Sequence, residues 1–170
     1  DVATPLDTAV WMMMGTTIIV LWLATAGIGV VLLRDRSLAP SLTWAIRLGI
    51  LVTLLGMAVA FLMTGPTGAQ IAAAQAGGGM PTIGAHAVGV PDGGPGLPLV
   101  GWSTTGGDLR IAHFVGLHAL QGLPLLAFAL GALARRFPVL EPQAVRVRLV
   151  GVGAAFWAGL VVLLAWQALR

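Results

Sequence analysis

Four long apolar stretches separated by polar turns organise the chain. The first, Val10 to Leu33, runs 24 residues without a charge. At about 1.5 Å per residue it can cross a hydrocarbon core of about 30 Å with some tilt. The second, Leu42 to Met63, holds one charge, Arg47, a turn from its start, where the side chain can reach back to the headgroups. The third covers Ile111 to Leu133, and the fourth covers Leu149 to Leu169, interrupted only by Gln167. Each predicts a membrane-spanning helix. The first has no basic segment ahead of it, is too long for a signal-peptide core, and is followed by Arg34-Asp35-Arg36. It therefore reads as a retained helix.

Between the second and third stretches, residues 64–110 break the pattern. They hold 13 of the 24 glycines and five of the ten prolines, in runs such as Asp92-Gly93-Gly94-Pro95-Gly96 that suit consecutive tight turns. Gln70 to Ala76 predicts a short helix. The segment is nearly uncharged and carries Val88, Val90, Leu97, Leu99, Val100 and Trp102. Disordered linkers lack such residues, so the expectation is an ordered cap that buries them. The fold class that follows is all-α: a single domain over 1–170, an integral membrane four-helix bundle under a long Gly/Pro-rich outer loop. Small-residue faces at Gly56-xxx-Ala60, Ala112-xxx-Gly116, Ala127-xxx-Gly131 and Gly151-xxx-Ala155-xxx-Gly159 allow the helices to approach closely within that bundle.

Composition agrees with the pattern. Charged residues make up 9% of the chain and the mean hydropathy is +0.95, against about 25% charged residues in a soluble domain. All nine basic residues are arginine. They flank the apolar runs and form no nucleic-acid patch; lipid is the expected neighbour, with partner subunits possible in the same plane. Arg34, Arg36, Arg47, Arg135, Arg136, Arg146 and Arg148 mark two turns, and only Arg110 and Arg170 fall on the other side. The positive-inside rule then places the chain in the cytoplasmic membrane with both termini and residues 64–110 outside. The absence of cysteine excludes disulfides, thiolate metal sites and cysteine nucleophiles.

Candidate chemistry concentrates in Gly107 to Gln121. At about 100° per residue, Arg110, His113, His118 and Gln121 share one arc of the third helix. Hydrocarbon penalises such an arc, so it is expected to face the bundle interior, with Pro124 adding a kink and a freed Leu120 carbonyl. Asp108 has the placement of a helix N-cap. His113 and His118 are five residues apart and cannot share one metal from a straight helix. His86 is the only other histidine, and all six methionines, Met14 and Met63 among them, fall at the same level. Mixed histidine–thioether sites suit copper, and histidine or methionine axial ligation suits haem.

The leading expectation is therefore a redox cofactor or metal, haem b or copper, held at the outer face. His113 and His118 would be the principal ligands, with His86, Met14 and Met63 as partners. Arg110 would pair with an anionic group such as a propionate, and Gln121 would fix a histidine tautomer. The competing expectations are a structural or partner-docking membrane subunit without enzymatic activity, and a quinone or small-molecule pocket under the cap. A nucleophile elbow, a phosphate loop and a carboxylate di-iron site all lack their required residues.

Overall fold

The computed structural model describes residues 2–35 and 37–170; Arg36, one of the seven arginines used for orientation, lies outside the described residues. Helix α1 (Pro5–Leu32) opens on a reciprocal cap: the Thr4 hydroxyl accepts the Asp7 N–H, and the Asp7 carboxylate accepts the Thr4 N–H. Helix α2 (Pro40–Thr64) opens on a proline at its first position, where a missing N–H costs nothing. The predicted third span is two helices, α4 (Leu109–Leu117) and α5 (Ala119–Leu133), and α6 (Gln143–Ala168) closes the chain. Three of the helices, α1, α2 with its continuation, and α6, are long and apolar enough to cross a membrane. The bent α4–α5 pair makes a fourth if it counts as one span.

Helix α2 is the hub. It buries Ala45, Ile50, Val52, Met57, Val59 and Ala60 and packs against α4, α5 and α6. Two glycines set its distance to the broken helix. A Cβ on Gly56 would stand 2.5 Å from the Cα of Gly116, and one on Gly49 would stand 3.2 Å from the Ala119 carbonyl oxygen. Only residues without side chains permit backbones so close. The faces Gly56-xxx-Ala60 and Ala112-xxx-Gly116 thus meet as expected. The face Gly151-xxx-Ala155-xxx-Gly159 does not: Gly151 and Gly159 have no neighbour within 4 Å, and α6 turns Gly153 against Leu126 instead. Ala127 is buried, whereas Gly131 also faces open space.

Helix α1 packs chiefly on α2 and contributes no buried residue. It is tethered at two levels. The Trp22 indole donates to the Leu54 carbonyl at 3.2 Å, and Arg47 donates to the carbonyls of Leu32, Leu33 and Asp35 at and beyond the end of α1. Arg47 thus satisfies carbonyls that a helix end leaves orphaned.

Residues 64–110 are ordered by backbone and side-chain hydrogen bonds. Helix α3 (Gly68–Ala73) overlaps the expected stretch, starting two residues ahead of Gln70, and runs into a single π turn at Ala74–Gly78. The Gln70 amide accepts from Thr67 and Gly84 and donates to the Gly84 carbonyl. Strands β1 (Ala87–Val88) and β2 (Gly107–Asp108) pair antiparallel, with Ala87 opposite Asp108. The Ala85 N–H reaches the Met63 carbonyl and the Leu109 N–H reaches His86, which fastens the cap to α2 and α4. The Val2 N–H bonds Pro81, and Gly107 lies against Ala168, so both ends of the chain sit at the cap end. Arg34, Arg47, Arg135, Arg136, Arg146 and Arg148 therefore gather at the opposite end.

The apolar residues of the cap divide. Val88, Val90 and Trp102 are partly buried, but Leu97, Leu99 and Val100 are exposed, Leu99 completely, contrary to expectation. They crown a hairpin tip closed by the Gly96–Ser103 bridge and the Leu97–Gly101 and Leu97–Trp102 backbone bonds. Leu99 adopts a left-handed φ of 72° there. Turn geometry, not hydrophobicity, places these side chains.

Candidate functional site: the broken third helix

The break falls at His118, with a 42° bend between α4 and α5. The kink expected at Pro124 is not where the chain turns; Pro124 lies inside α5. A helix that stops leaves its last four carbonyls short of helical partners; in α4 these belong to Phe114, Val115, Gly116 and Leu117, of which Phe114 still accepts the His118 N–H at 3.2 Å. Each has a side-chain donor. His118 Nδ1 meets the Phe114 oxygen at 2.8 Å and the Trp157 indole donates to Val115 at 2.8 Å. The Thr53 hydroxyl lies 3.3 Å from Gly116 and 3.4 Å from Leu117. Donors at this level make the break cheap here, whereas Pro124 would need the same service one turn later.

The orientation of the polar arc corrects the sequence expectation. Leu109, Ala112, Gly116, Ala119, Leu123 and Ala127 form the inward face, while His118 and Gln121 are exposed and Arg110 is partly so. Small side chains won the interior because they allow α2 and α6 to come close. Only His113, at the edge of the arc, turns to a neighbour: its Nδ1 lies 2.8 Å from the Gly56 carbonyl oxygen of α2. Both histidines thus direct Nδ1 at a backbone carbonyl, which makes Nδ1 the N–H donor and, in the neutral ring, puts the lone pair on Nε2. The tautomer is set by Gly56 and Phe114, not by Gln121. The His118 ring also lies 4.1 Å from that of Phe114, which in turn meets Trp102 edge-on at 5.5 Å.

Arg110 is engaged within the chain. Its Nε and one terminal nitrogen fork onto Asp108 at 3.0 and 2.6 Å, and the same terminal nitrogen donates to the Gly101 carbonyl at 2.6 Å. Asp108 is the expected N-cap, accepting the Arg110 N–H, and also accepts the Ser103 N–H. Burial pushes its carboxyl up, but the Arg110 side-chain hydrogen bond, the two backbone donors and the Arg110 charge outweigh this and hold it below the ordinary value. The pair latches the cap hairpin to the start of α4.

The remaining candidate ligands sit elsewhere. His86 lies beside Asp92 with Nδ1 at 3.4 Å, a close contact without the alignment of a hydrogen bond. Met63 packs against the cluster of Val59, Leu109 and Ala112, and Met14 lines an apolar cleft of about 320 Å³ between α1 and α2 with Trp11 and Phe61. Among the described residues no three His, Asp or Glu side chains gather as around one metal ion. The cap holds a cavity of about 620 Å³ lined by Thr67, Gln70, Thr82 and Asp92, with neither His113 nor His118 in its wall.

Thr53 and Trp157, which decide where the third helix breaks, carry no sequence signal: each stands alone in an apolar run. Comparisons with protein-family models, with curated proteins and with solved structures find no match.

Proposed function

We propose that the chain is a four-span membrane protein, with α4 and α5 together forming one span. Both ends of this chain and residues 64–110 lie on the non-cytoplasmic side of the cytoplasmic membrane. The length and apolarity of the helices support this, as does the collection of arginines at the end opposite the cap. On this reading the outward face of α4–α5 is the working surface. Ionisable and amide side chains at membrane depth are costly against hydrocarbon, so the face of Phe114, His118 and Gln121 is covered in the working protein.

The occupant we propose is haem b, which His118 would hold through Nε2. One observation carries this: His118 Nδ1 is held by the Phe114 carbonyl, so Nε2 points outward in the ligating tautomer beside an aromatic ring. Haem is preferred to copper because it needs one protein nitrogen from this face, whereas a copper site needs several gathered donors. A partner subunit would supply the opposite wall. His113, with Nδ1 tied to Gly56, is the second available imidazole. Arg110 would have to share its Asp108 bond to reach a propionate, so its part is the latch.

A second reading, docking of a partner subunit with no cofactor, is favoured by a separate observation. Exposed Leu97, Leu99 and Val100 continue the same surface through Trp102 and Phe114. The test is purification from haem-supplemented cells in mild detergent. A Soret band in the parent that is lost in His118→Leu supports haem. A colourless parent sinks the cofactor reading, and site-directed photo-crosslinking from position 121 then tests the docking one.

A further inference from the structure

At the arginine end, a cleft of about 310 Å³ opens between the start of α2, the end of α5 and the start of α6. Its polar wall is Ser41, Gln143, Arg135 and Arg146, and its floor includes Leu42 and Phe128. One polar atom in it is buried without a partner among the described residues: Arg146 Nε. Ser41, 5% exposed, lies in the same wall. Neither Arg135 nor Arg146 has a carboxylate within ion-pairing distance among the described residues. Helices α2 and α6 both begin here without a side-chain cap, so their positive dipole ends add to the field. Gln143 Oε1 accepts the Ser41 N–H at 3.2 Å and holds the two helix starts together.

A buried donor left open, as Arg146 Nε is, usually marks an acceptor that belongs there. The donors here are cationic or hydroxylic, and guanidinium groups match phosphate oxygens in a fork. The floor is apolar and Phe128 is exposed beside it, which suits a hydrocarbon chain running away from the donors. We propose that this cleft binds the phosphodiester of an anionic phospholipid, with Arg135, Arg146 and Ser41 on the phosphate oxygens and an acyl chain along Leu42 and Phe128. Only the source of the phosphate depends on the membrane reading. The site itself is independent of the α4–α5 face.

The test is native mass spectrometry of the purified full chain in detergent, titrated with phosphatidylglycerol, phosphatidylcholine or inorganic phosphate. The expected result is one tightly held phosphatidylglycerol, preferred over phosphatidylcholine. That preference should fall roughly tenfold in Arg135→Gln, since a charge-assisted bond is worth about that factor in affinity, and fall again in Ser41→Ala. Arg135 is exposed, so its replacement leaves folding intact, and Arg34→Gln, at the same end but outside the cleft, should keep the parent preference. An Arg135→Gln protein with undiminished preference overturns the site. Displacement of the lipid by inorganic phosphate at equal concentration overturns the lipid as its source.

Discussion

Thr53 of α2 places its hydroxyl 3.3 Å from the carbonyl oxygen of Gly116, at the point where α4 stops. The bond closes a set in which Thr53 of α2, Trp157 of α6 and His118 at the break serve the four carbonyls of the broken turn. Thr53→Val keeps the shape and removes the donor, which leaves a buried carbonyl unserved at a cost of about 1–3 kcal/mol. Thr53→Ser should keep most of the stability. Thermal unfolding in a single detergent measures both, and equal melting points for Val and Ser would show that the bond contributes nothing.

The Gly56–Gly116 contact gives a sharper stability test. Alanine at either position drives a Cβ into backbone that cannot move aside, so a loss of about 1–3 kcal/mol or more is expected. Alanine at Gly159, which faces open space, should be neutral or gain up to about 1 kcal/mol from helix propensity. The three variants together separate packing from composition.

Trp157 and Gly122 should behave as one unit. The indole lies against Gly122 so closely that a Cβ there would collide with its six-membered ring. Gly122→Ala and Trp157→Phe should each destabilise. The double variant should cost less than the sum, with a coupling of about 0.5–3 kcal/mol as for residues in direct contact. Strict additivity in a double-mutant cycle would contradict the packing.

The Asp108–Arg110 latch sets a pH dependence for the cap. The folded carboxyl titrates below its unfolded value, so its contribution is complete above about pH 5 and is lost as the pH falls through about 3.9 toward the lowered value. Limited proteolysis of residues 64–110 should accelerate over that acid range, and Asp108→Asn should cleave rapidly at neutral pH with no acid step. An Asn variant with the parent's pH profile would remove the latch from the explanation.

The two histidines should differ in what they support. His113 bonds across to α2 through Gly56, whereas His118 bonds only within its own helix and is exposed. His113→Leu should lower the stability by about 1 kcal/mol for a lost interhelical bond, read as a lower melting temperature, while His118→Leu should leave it unchanged because the Phe114 carbonyl keeps the His118 N–H. A cofactor signal lost only in His118→Leu would then report ligation and not folding.

Much of this architecture is legible along the chain because its causes are local. Apolar runs of more than 20 residues mark the long helices, and Asp108 one residue ahead of α4 reads as the N-cap it is. Glycine and proline density marks the cap, and the Ala/Gln-rich Gln70–Ala76 stretch marks the short helix in it. Spacing also places Arg110, His118 and Gln121 on one arc.

Tertiary structure alone decides which way that arc turns and where the third helix breaks. A polar arc and a small-residue arc both have claims on the interior, and periodicity cannot rank them. The contest is settled by how closely a second backbone can approach, which depends on Gly49 and Gly56 of α2. The break likewise sits at His118 and not at Pro124 because Thr53 and Trp157 bring donors to that level. Those donors come from residues 42 or more positions away from the carbonyls they serve, so no local pattern announces them.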